Sequence, residues 1–403
     1  MSSLPRDLDV LIERPATGGG VGHLEDGRVV FVRQALPGER VRIVLTEETS
    51  RFARADAVEV LVASPERVTP ACPHFYPGGC GGCDFQHASL AAQLTWKAAL
   101  VSEHLRRIAG VETEVEVISL PGGAHARTRL RCAVNAEGAL SLRRSRSNEL
   151  IAIASCQVAD ERFSTAFATR WPHCDEVELR AIGEGEPFAL ARRITERGTL
   201  FELRSLSGAA VDPTTHSRVQ VDGRYFTVSP RSFWQSHRDA PGVLLEAVLE
   251  FADVAAGDHV VDLFSGVGLF AVPLARRVGP GGKVVAVESS PYAVRDARSN
   301  AEGLRQLRVR EWSVSARSVN DAVSPGDVVV MDPPRAGLAK GVAEALIRRA
   351  PRRLVYVSCD AATFARDLAL LSAGGYSLGD IRVFDLFPMT EHVELVAVLD
   401  LKG

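Results

Sequence analysis

The C-terminal part of the chain, from residue 236 onward, alternates apolar strand-like runs with helical stretches, and this pattern restricts the fold more than any other sequence feature. Five runs are almost continuously apolar, namely HVVDLF, KVVAVE, DVVVMDPP, RRLVYVSC and HVELVAVLDL. Strands of this kind are buried on both faces, as in a parallel sheet covered by helices. We therefore predict that residues 236–403 form a doubly wound α/β domain with a Rossmann-like sheet.

The part of the chain before residue 236 has a different pattern. Short alternating segments, separated by turns at Asp26-Gly27 and Pro37-Gly38, predict a small five-stranded OB-like barrel over residues 1–65. A Gly-rich loop, a helical stretch at 90–109 and further alternating segments follow. We predict that residues 66–235 form a central domain of mixed α+β structure. Three units agree with a length of 403 residues, which is too long for a single ordinary core.

Composition and charge exclude some classes of protein. No apolar stretch approaches the roughly 18 residues of a membrane span, and Met1–Val10 does not resemble a signal peptide. We therefore expect a cytoplasmic protein without membrane contact. The formal net charge is -3, from 47 basic and 50 acidic residues, so any surface for nucleic acid must be local.

A local basic surface is expected between residues 127 and 146, where six arginines oppose only Glu137. Alternate residues of a strand share one face, so these side chains are placed to contact phosphates, although an ordinary solvated sheet face has the same pattern. The arginines are Arg127, Arg129, Arg131, Arg143, Arg144 and Arg146. Phe233 and Trp234 are candidates for stacking on a base, with packing into the core as the alternative.

The seven cysteines favour a metal site over a disulfide framework. Their number is odd, and three of them, Cys72, Cys80 and Cys83, crowd into a Gly-rich loop that has no other means of holding its shape. We expect Cys132 and Cys174 to be structural.

A glycine-containing turn, DLFSGVGLFA, lies where a strand of the C-terminal domain gives way to a helix. Glycines let the backbone approach a ligand at the carboxyl edge of a sheet, and Glu288 ends the next strand, where a carboxylate accepts hydrogen bonds from ribose hydroxyls. This arrangement suits a dinucleotide and S-adenosylmethionine equally. A turn that only packs the helix on the strand is the alternative.

Two later strand ends carry groups that a hydride-transfer site does not need. One strand ends at Asp332-Pro-Pro-Arg335, where the prolines stiffen the loop. Another ends at Ser358-Cys359-Asp360, which places Cys359 like a nucleophile, although a buried structural thiol is the alternative. Glu394 interrupts the apolar run HVELVAVL and is either a general base or an edge-facing carboxylate.

Taken together, these motifs resemble the S-adenosylmethionine-dependent RNA uracil-5 methyltransferases that carry an N-terminal TRAM domain and a cysteine-bound iron-sulfur cluster. The resemblance spans nearly the whole chain. The C-terminal motifs follow the order of the family: SPRSFWQ, DLFSGVGLF, DPPRAGL, SCDAATFARDL and EHVEL. Residues 1 to about 64 resemble the TRAM barrel, and CPHFYPGGCGGCDFQH with IAIASCQ resembles the cluster-binding pattern.

The resemblance implies a role for each matching residue. It implies that Cys359 is the nucleophile and Glu394 the base. S-adenosylmethionine is then contacted by Gln235, Phe264, Glu288 and Asp332. A [4Fe-4S] cluster is then held by Cys72, Cys80, Cys83 and Cys156, although cysteine spacing alone also suits zinc. Such a cluster is expected to have a structural role and to attach the Gly-rich loop to the central domain.

The expected substrate is a uridine in structured RNA. Ribosomal RNA is expected, since the TRAM and iron-sulfur combination resembles the ribosomal branch of the family, and transfer RNA is the alternative. Two less favoured functions are an iron-sulfur oxidoreductase that uses NAD and a non-catalytic RNA-binding protein. We expect a monomer.

The chain departs from the family at two positions. Asp360-Ala361 stands where Asn-Pro is usual, which is expected to loosen that loop, and Leu269 stands where a polar residue is common, which removes one cofactor contact.

Overall fold

The N-terminal part of the chain is a closed β-barrel in the computed structural model, which describes residues 8–121 and 123–402. Its strands are β1 (Leu8–Leu11), β2 (Arg14–Ala16), β3 (Gly19–His23), β4 (Val29–Arg33), β5 (Arg40–Glu48) and β6 (Phe52–Val62). They form one sheet in the order β1-β5-β6-β4-β3-β2. β1 and β2 are two halves of one strand, interrupted at Ile12, so the two ends of the sheet meet. The predicted five-stranded barrel is confirmed, with its first strand divided in two.

The central part of the chain contains one long helix and an antiparallel sheet. Its elements are α1 (Leu90–His104), which continues as a π-helical turn at Leu105–Ala109, β7 (Val117–Ser119), β8 (Arg129–Val134), β9 (Leu140–Arg143), β10 (Leu150–Ala152), α2 (Ser164–Ala168), β11 (Glu176–Arg180), β12 (Phe188–Thr195), β13 (Gly198–Ser205), β14 (Ser217–Val221) and β15 (Arg224–Val228). β8 to β13 form a six-stranded sheet in the order β10-β9-β8-β11-β12-β13. β14 and β15 form a separate hairpin.

The C-terminal part of the chain is the predicted doubly wound α/β domain. Its elements are α3 (Ala240–Ala252), β16 (His259–Leu263), α4 (Ala271–Val278), β17 (Lys283–Glu288), α5 (Pro291–Asn300), β18 (Leu307–Glu311), α6 (Ala316–Ala322), β19 (Val328–Met331), α7 (Val342–Arg349), β20 (Arg353–Ser358), α8 (Ala361–Ala373), β21 (Tyr376–Asp385) and β22 (Glu394–Leu401). The sheet has the order β18-β17-β16-β19-β20-β22-β21-β7.

Both faces of this sheet are covered, as the continuously apolar runs predict. Successive residues of a strand point to opposite faces, so Val260 of β16 joins one hydrophobic cluster and Val261 joins the other. The first cluster includes residues of α3 and α4, and the second includes residues of α7 and α8. Within the described residues, no helix is both long and apolar enough to cross a bilayer.

The direction of β22 differs from the sequence-based expectation of a parallel sheet. β22 runs antiparallel to β20 and to β21, with Ser358 opposite Leu395 and Phe384 opposite Glu394. Because of this reversal, β22 begins at the edge where the parallel strands β19 and β20 end. Glu394 therefore enters the sheet beside the loops that follow those strands.

Two elements from the stretch predicted as central pack on the C-terminal sheet. β7 pairs in parallel with β21, with Val117 opposite Val383. Val101 of α1 and Leu105 are buried in the same hydrophobic cluster as residues of α7 and α8. The segment from α1 to β7 is therefore built into the C-terminal sheet rather than into the central one.

A buried ion pair fastens α1 to the end of β21. The ammonium of Lys97 is fully buried and donates to Asp385 Oδ1 at 2.6 Å and to the carbonyl oxygen of Phe387 at 2.9 Å. Burial lowers the pKa of Lys97, and the negative charge of Asp385 opposes that shift. A charge in such a place is stable only while it is paired.

We expect Lys97→Met to lower the free energy of unfolding by about 3 kcal/mol, because it leaves the Asp385 carboxylate buried without its partner. Urea denaturation checks this value. Arg317→Ala is the matched control: its guanidinium is 92% exposed in an i,i+4 pair with Asp321, so the loss should be below about 0.5 kcal/mol. Adding Asp385→Leu to Lys97→Met should recover most of the stability, and equal losses in the single and double variants would contradict the assignment.

Candidate active site

The glycine-containing turn after β16 has a backbone that only a few residue types adopt readily. Phe264 has a φ of 63°, Gly266 of 54° and Gly268 of 91°. A positive φ is uncommon for a bulky side chain, and strained residues of this kind occur most often at ligand-binding sites. A Cβ added to Gly266 would meet no atom within 4 Å, so the turn borders open space. Such a turn can receive a ligand against its backbone.

Glu288 lies beside this turn, at the end of β17. Its carboxylate accepts a hydrogen bond from the backbone N–H of Gly266 at 3.0 Å. It also accepts from the N–H groups of Ser289 and Ser290, at 2.7 and 2.6 Å. These bonds hold the carboxylate at the carboxyl edge of the sheet, where the sequence predicts the cofactor site.

Gln235 and Asp332 are brought into contact although they lie far apart in the sequence. The side-chain amide of Gln235, from the segment before α3, donates to Asp332 Oδ2 at 3.3 Å. Asp332 follows β19, which is adjacent to β16 in the sheet. Phe264 and Asp332 thus follow β16 and β19, and Glu288 ends β17. This is the point where connections leave β16 in both directions.

Asp262 is a member of the site that the sequence analysis did not single out. It lies in β16 with both carboxylate oxygens buried and, within the described residues, without a hydrogen-bond partner. Burial, together with the negative charges of Asp332 and Glu288, raises the pKa of Asp262. The signal was present in HVVDLF, where an acid interrupts an apolar run in the same way as Glu394 does.

Cys359 and Glu394 lie at adjoining places on this edge. Cys359 follows β20, and Glu394, which is 4% exposed, is the first residue of β22. Burial and then the negative charge of Asp332 raise the pKa of Glu394, and the positive charge of Arg335 opposes the shift. Glu394 is therefore buried in the site and is not the edge-facing carboxylate of the alternative interpretation.

The environment of Cys359 differs from that of a thiol activated in the free protein. Burial, followed by the charge of Glu394, raises the pKa of Cys359 to about 12. Arg335, at the end of the Asp332-Pro-Pro-Arg335 loop, acts in the opposite direction on the same thiol. Burial is the largest of these effects, and the thiol is therefore protonated at neutral pH.

The four cysteines of the predicted cluster site come together. They line one cavity of about 250 Å³: Cys72, Cys80, Cys83 and Cys156. The Gly-rich loop is attached to the central sheet there, since Cys80 forms a β-bridge with Arg144 and the N–H of Gly81 donates to the carbonyl of Arg143 at 3.1 Å. In the part of the chain that the structure describes, no three His, Cys, Asp or Glu side chains are arranged to hold a metal ion.

The basic surface is more neutralised than its local sequence indicates. Folding places two glutamates from distant positions beside its arginines, since Arg129 pairs with Glu178 at 2.9 Å and Arg131 lies 3.6 Å from Glu176. Arg144 lies 3.3 Å from Glu149, which is only five residues away in the sequence. The count within residues 127–146, where six arginines oppose only Glu137, therefore overstates the positive charge of this surface. β11, which was not predicted, carries Glu176 and Glu178 and pairs with β8.

Arg146 lies in a cleft between the barrel and the central domain. The cleft has a volume of about 380 Å³. Its charged lining residues are four arginines, Arg33, Arg54, Arg144 and Arg146, and three acidic residues, Glu47, Asp56 and Glu149. Burial, together with the charges of Arg54 and Arg33, lowers the pKa of Arg146. Arg33, Arg54 and Arg144 are paired with the acidic residues of the cleft, whereas Arg146 has no ion-pair partner among the described residues. Arg146 is therefore the candidate for binding an anionic ligand here.

The two aromatic residues before Gln235 have different environments. Phe233 is 51% exposed, and the guanidinium of Arg129 lies 5.5 Å from the centre of its ring. Trp234 is 6% exposed and packs against Phe226 with 6.2 Å between ring centres. Only Phe233 is available for stacking, and Trp234 belongs to the core.

The two departures from the family have structural explanations. Asp360 is the N-cap of α8, because its side chain accepts a hydrogen bond from the N–H of Thr363 at 2.8 Å. Aspartate and asparagine cap helices about equally well, so the change from asparagine keeps this cap. The effect of Ala361 in place of proline on this loop stays a prediction. Leu269 is 7% exposed within the hydrophobic core and offers no polar atom to a ligand.

Comparison with known families gives two matches. Residues 214–402 match the family described as tRNA (Uracil-5-)-methyltransferase. Residues 6–58 match the TRAM domain. The two matches lie at opposite ends of the chain and correspond to the C-terminal α/β domain and the N-terminal barrel.

Three individual proteins illustrate how far the similarity extends. An uncharacterized RNA methyltransferase of Streptomyces avermitilis is 39% identical, with 96% of each chain covered. The 23S rRNA (uracil(1939)-C(5))-methyltransferase of Edwardsiella ictaluri is 33% identical, over 96% of this chain and 93% of that protein. The Pyrococcus abyssi tRNA (uracil-54, C5)-methyltransferase, solved with S-adenosyl-L-homocysteine, has a TM-score of 0.71 and 26% identity, with 97% of this chain and 99% of that chain covered.

The raised pKa of Cys359 predicts the pH dependence of its alkylation in the free protein. The iodoacetamide rate constant should rise roughly tenfold per pH unit from pH 7 to 10 without reaching a plateau, because only the thiolate reacts and the pKa is about 12. Mass spectrometry of the peptide that contains Cys359 measures this rate. Arg335→Gln should lower the rate further, and a plateau below pH 9 would contradict the prediction.

Proposed function

The chain belongs to the S-adenosylmethionine-dependent RNA (uracil-C5)-methyltransferases, and we propose that it methylates C5 of a uridine in ribosomal RNA, with Cys359 as nucleophile and Glu394 as base. The observation that carries this proposal is the convergence of the loops after β16, β17, β19 and β20 with the start of β22. The whole-length similarity to a 23S rRNA (uracil-C5)-methyltransferase supports ribosomal RNA as the substrate. The similarity to a tRNA methyltransferase makes transfer RNA the alternative.

The residues at the turn after β16 fit S-adenosylmethionine. Open space borders Gly266, and the buried carboxylate of Asp262 lacks a partner in the described chain. In the proposal, Gln235, Phe264, Glu288 and Asp332 hold the cofactor. When bound, S-adenosylmethionine supplies an electrophilic methyl group on a positively charged sulfur. A positively charged ligand suits a site in which buried carboxyl groups outnumber cations.

The residue types follow from the chemistry of uracil, whose C5 atom is a weak nucleophile. In the proposed reaction, the Cys359 thiolate adds to C6, and the C5–C6 π electrons move onto the C4 carbonyl oxygen. After C5 has gained its methyl group, the Glu394 carboxylate removes the C5 proton. The electron pair left behind restores the C5–C6 double bond and expels the Cys359 thiolate.

Arg335 has a proposed part in preparing both groups. Cys359 and Glu394 must each lose a proton before they act, and the charge of Arg335 favours the ionised form of each. In the sequence, Arg335 stands out only as a residue next to the two prolines. We propose that Arg335 lowers the cost of ionising the nucleophile and the base.

The RNA has a candidate surface and a candidate stacking residue. In the cleft between the barrel and the central domain, Arg146 offers positive charge to phosphates, because the other three arginines there are paired with acidic residues. Phe233, exposed two residues before Gln235, is available to a base. A base stacked within a helix cannot reach Cys359, so the target uridine must be unstacked or single-stranded.

Tritium release from uracil-5-tritiated RNA tests the reaction. With S-adenosylmethionine and ribosomal RNA, the wild-type protein should release tritium and Cys359→Ala should release none, because no C6 adduct forms. Glu394→Gln should slow release by roughly 100-fold or more and accumulate a methylated RNA adduct on Cys359, which a denaturing gel detects. Cys174→Ala is the matched control and should keep wild-type activity.

The same assay distinguishes the two RNA classes. Release from 23S ribosomal RNA but not from transfer RNA would support the ribosomal assignment, and the reverse would support the alternative. Release by Cys359→Ala equal to that of the wild type would reject the proposed nucleophile.

We also propose that Cys72, Cys80, Cys83 and Cys156 hold a [4Fe-4S] cluster. The four thiols line one cavity, and four cysteine ligands suit such a cluster. With every iron bound by protein, the cluster would act as a structural link. It would hold the Gly-rich loop against the central sheet, where Cys80 already pairs with Arg144.

Anaerobic purification should give a brown protein with about four iron and four sulfide per chain. Cys80→Ser and Cys156→Ser should each lose most of that iron, because each removes one of the four ligands. Cys174→Ser should keep it, as this residue lies outside the cavity. Elemental analysis decides the question, and one zinc per chain without sulfide would overturn the proposal.

A further inference from the structure

The loop that precedes Glu394 is held by contacts from outside the C-terminal domain. This segment, residues 386–393, connects β21 to β22 and is called the base loop here. The barrel, the segment after the Gly-rich loop and α1 all donate or accept hydrogen bonds at the base loop. The position of the proposed base is therefore set partly by parts of the chain that lie hundreds of residues away.

Between the described residues of the barrel and the base loop, one hydrogen bond is formed. The backbone N–H of Gly18, in the turn between β2 and β3, donates to the carboxylate of Glu391. Gly18 has a φ of 81°, and a Cβ at this position would lie 3.1 Å from the guanidinium of Arg146. The donor is therefore fixed in a tight turn beside the basic cleft.

The segment after the Gly-rich loop fixes the other side of the base loop. The N–H groups of Asp84 and Phe85 both donate to the carbonyl oxygen of Met389, at 2.8 and 3.0 Å. In return, the N–H of Glu391 donates to Asp84 Oδ2 at 3.2 Å. Glu391 thus has its backbone tied to one neighbouring segment and its side chain tied to another.

The base loop needs this support because its own backbone is strained. Met389 has a φ of 66°, a conformation that costs a side chain of this kind of the order of 1–3 kcal/mol unless its surroundings enforce it. The side chain of Gln93 accepts a hydrogen bond from the N–H of Met389 at 3.1 Å and so helps to hold it. Glu391 follows two residues after Met389, and Glu394 follows three residues after Glu391.

We propose that Glu391 is a positioning residue for the methylation reaction, which uses its hydrogen bond from Gly18 to keep Glu394 in place for proton removal. This inference rests on the proposed function, in which Glu394 is the base. A displacement of about 1 Å in a reacting group lowers rates by as much as 100-fold. The barrel, beyond any contact with RNA, then contributes directly to the geometry of the base.

Three substitutions separate the hydrogen bond from the charge of Glu391. Glu391→Gln keeps an acceptor oxygen at the same distance, Glu391→Asp keeps the charge but shortens the reach, and Glu391→Ala removes both. Burial and the charge of Asp84 raise the pKa of Glu391 to about 7, so the neutral amide is a close mimic of the protonated side chain.

The full-length protein is assayed for tritium release, for KM and for the covalent RNA adduct. We expect Glu391→Ala and Glu391→Asp to lower kcat by roughly 10- to 100-fold with little change in KM for RNA. Both should also accumulate the methylated adduct, because the step that slows is proton removal. Glu391→Gln should stay close to wild type. A residue that only stabilised the fold would lower activity without accumulating the adduct.

Glu25→Ala is the matched control, since Glu25 is an exposed glutamate of the same barrel, and it should behave as wild type.

Glu394→Gln reports on the proposed function itself: if it accumulates no adduct, the assignment of the base fails. If Glu394→Gln accumulates adduct but Glu391→Asp does not, the positioning role fails. An equal loss in Glu391→Gln and Glu391→Ala, or a loss confined to KM, also overturns it. Should Glu391→Ala not fold, Glu391→Asp and Glu391→Gln decide.

Discussion

The antiparallel insertion of β22 between β20 and β21 is the constraint on which the site depends. In a parallel sheet the loops that follow the strands share one edge, whereas the strand beginnings lie at the other. Reversing one strand brings its first residue to the ligand-binding edge. Glu394 can therefore reach Asp332 and Cys359 from a strand of its own, without a long loop. The register of Ser358 with Leu395 sets how deep this carboxyl group lies.

The site gathers buried carboxyl groups at the expense of stability in the free protein. Burial raises the pKa values of Asp262, Asp332 and Glu394, with that of Asp332 at about 7. A carboxyl group whose folded pKa is raised contributes stability below its unfolded pKa and loses it as pH rises through the folded value. For Asp332 this loss occurs between about pH 4 and 7. Such a site is prepared for a positively charged ligand rather than optimised for the empty state.

Much of this architecture is predictable from local patterns, and the rest depends on pairing over long distances. The apolar runs and their terminal residues place Asp332 and Cys359 on one edge, because strand ends in parallel sheets coincide. The direction of β22 has no local signal, since an apolar run such as HVELVAVLDL is compatible with both a parallel and an antiparallel strand. The glutamates that neutralise Arg129 and Arg131 come from β11, nearly fifty residues later, so no local count of charge could include them. The proposed role of Glu391 likewise cannot be predicted from the sequence, because it depends on the hydrogen bond from Gly18.

The pairing of β7 with β21 has a consequence for how the chain is made. β7 pairs with β21, in which Val117 lies opposite Val383, so β7 cannot join the sheet until nearly the whole protein has left the ribosome. The barrel strands are complete at Val62, and Arg67, which pairs with the buried Glu39, follows within five residues. The four cysteines that line the cavity are all present once Cys156 has emerged. Biosynthesis therefore allows the barrel and the cysteine site to form first. The catalytic edge closes last, around parts that are already folded.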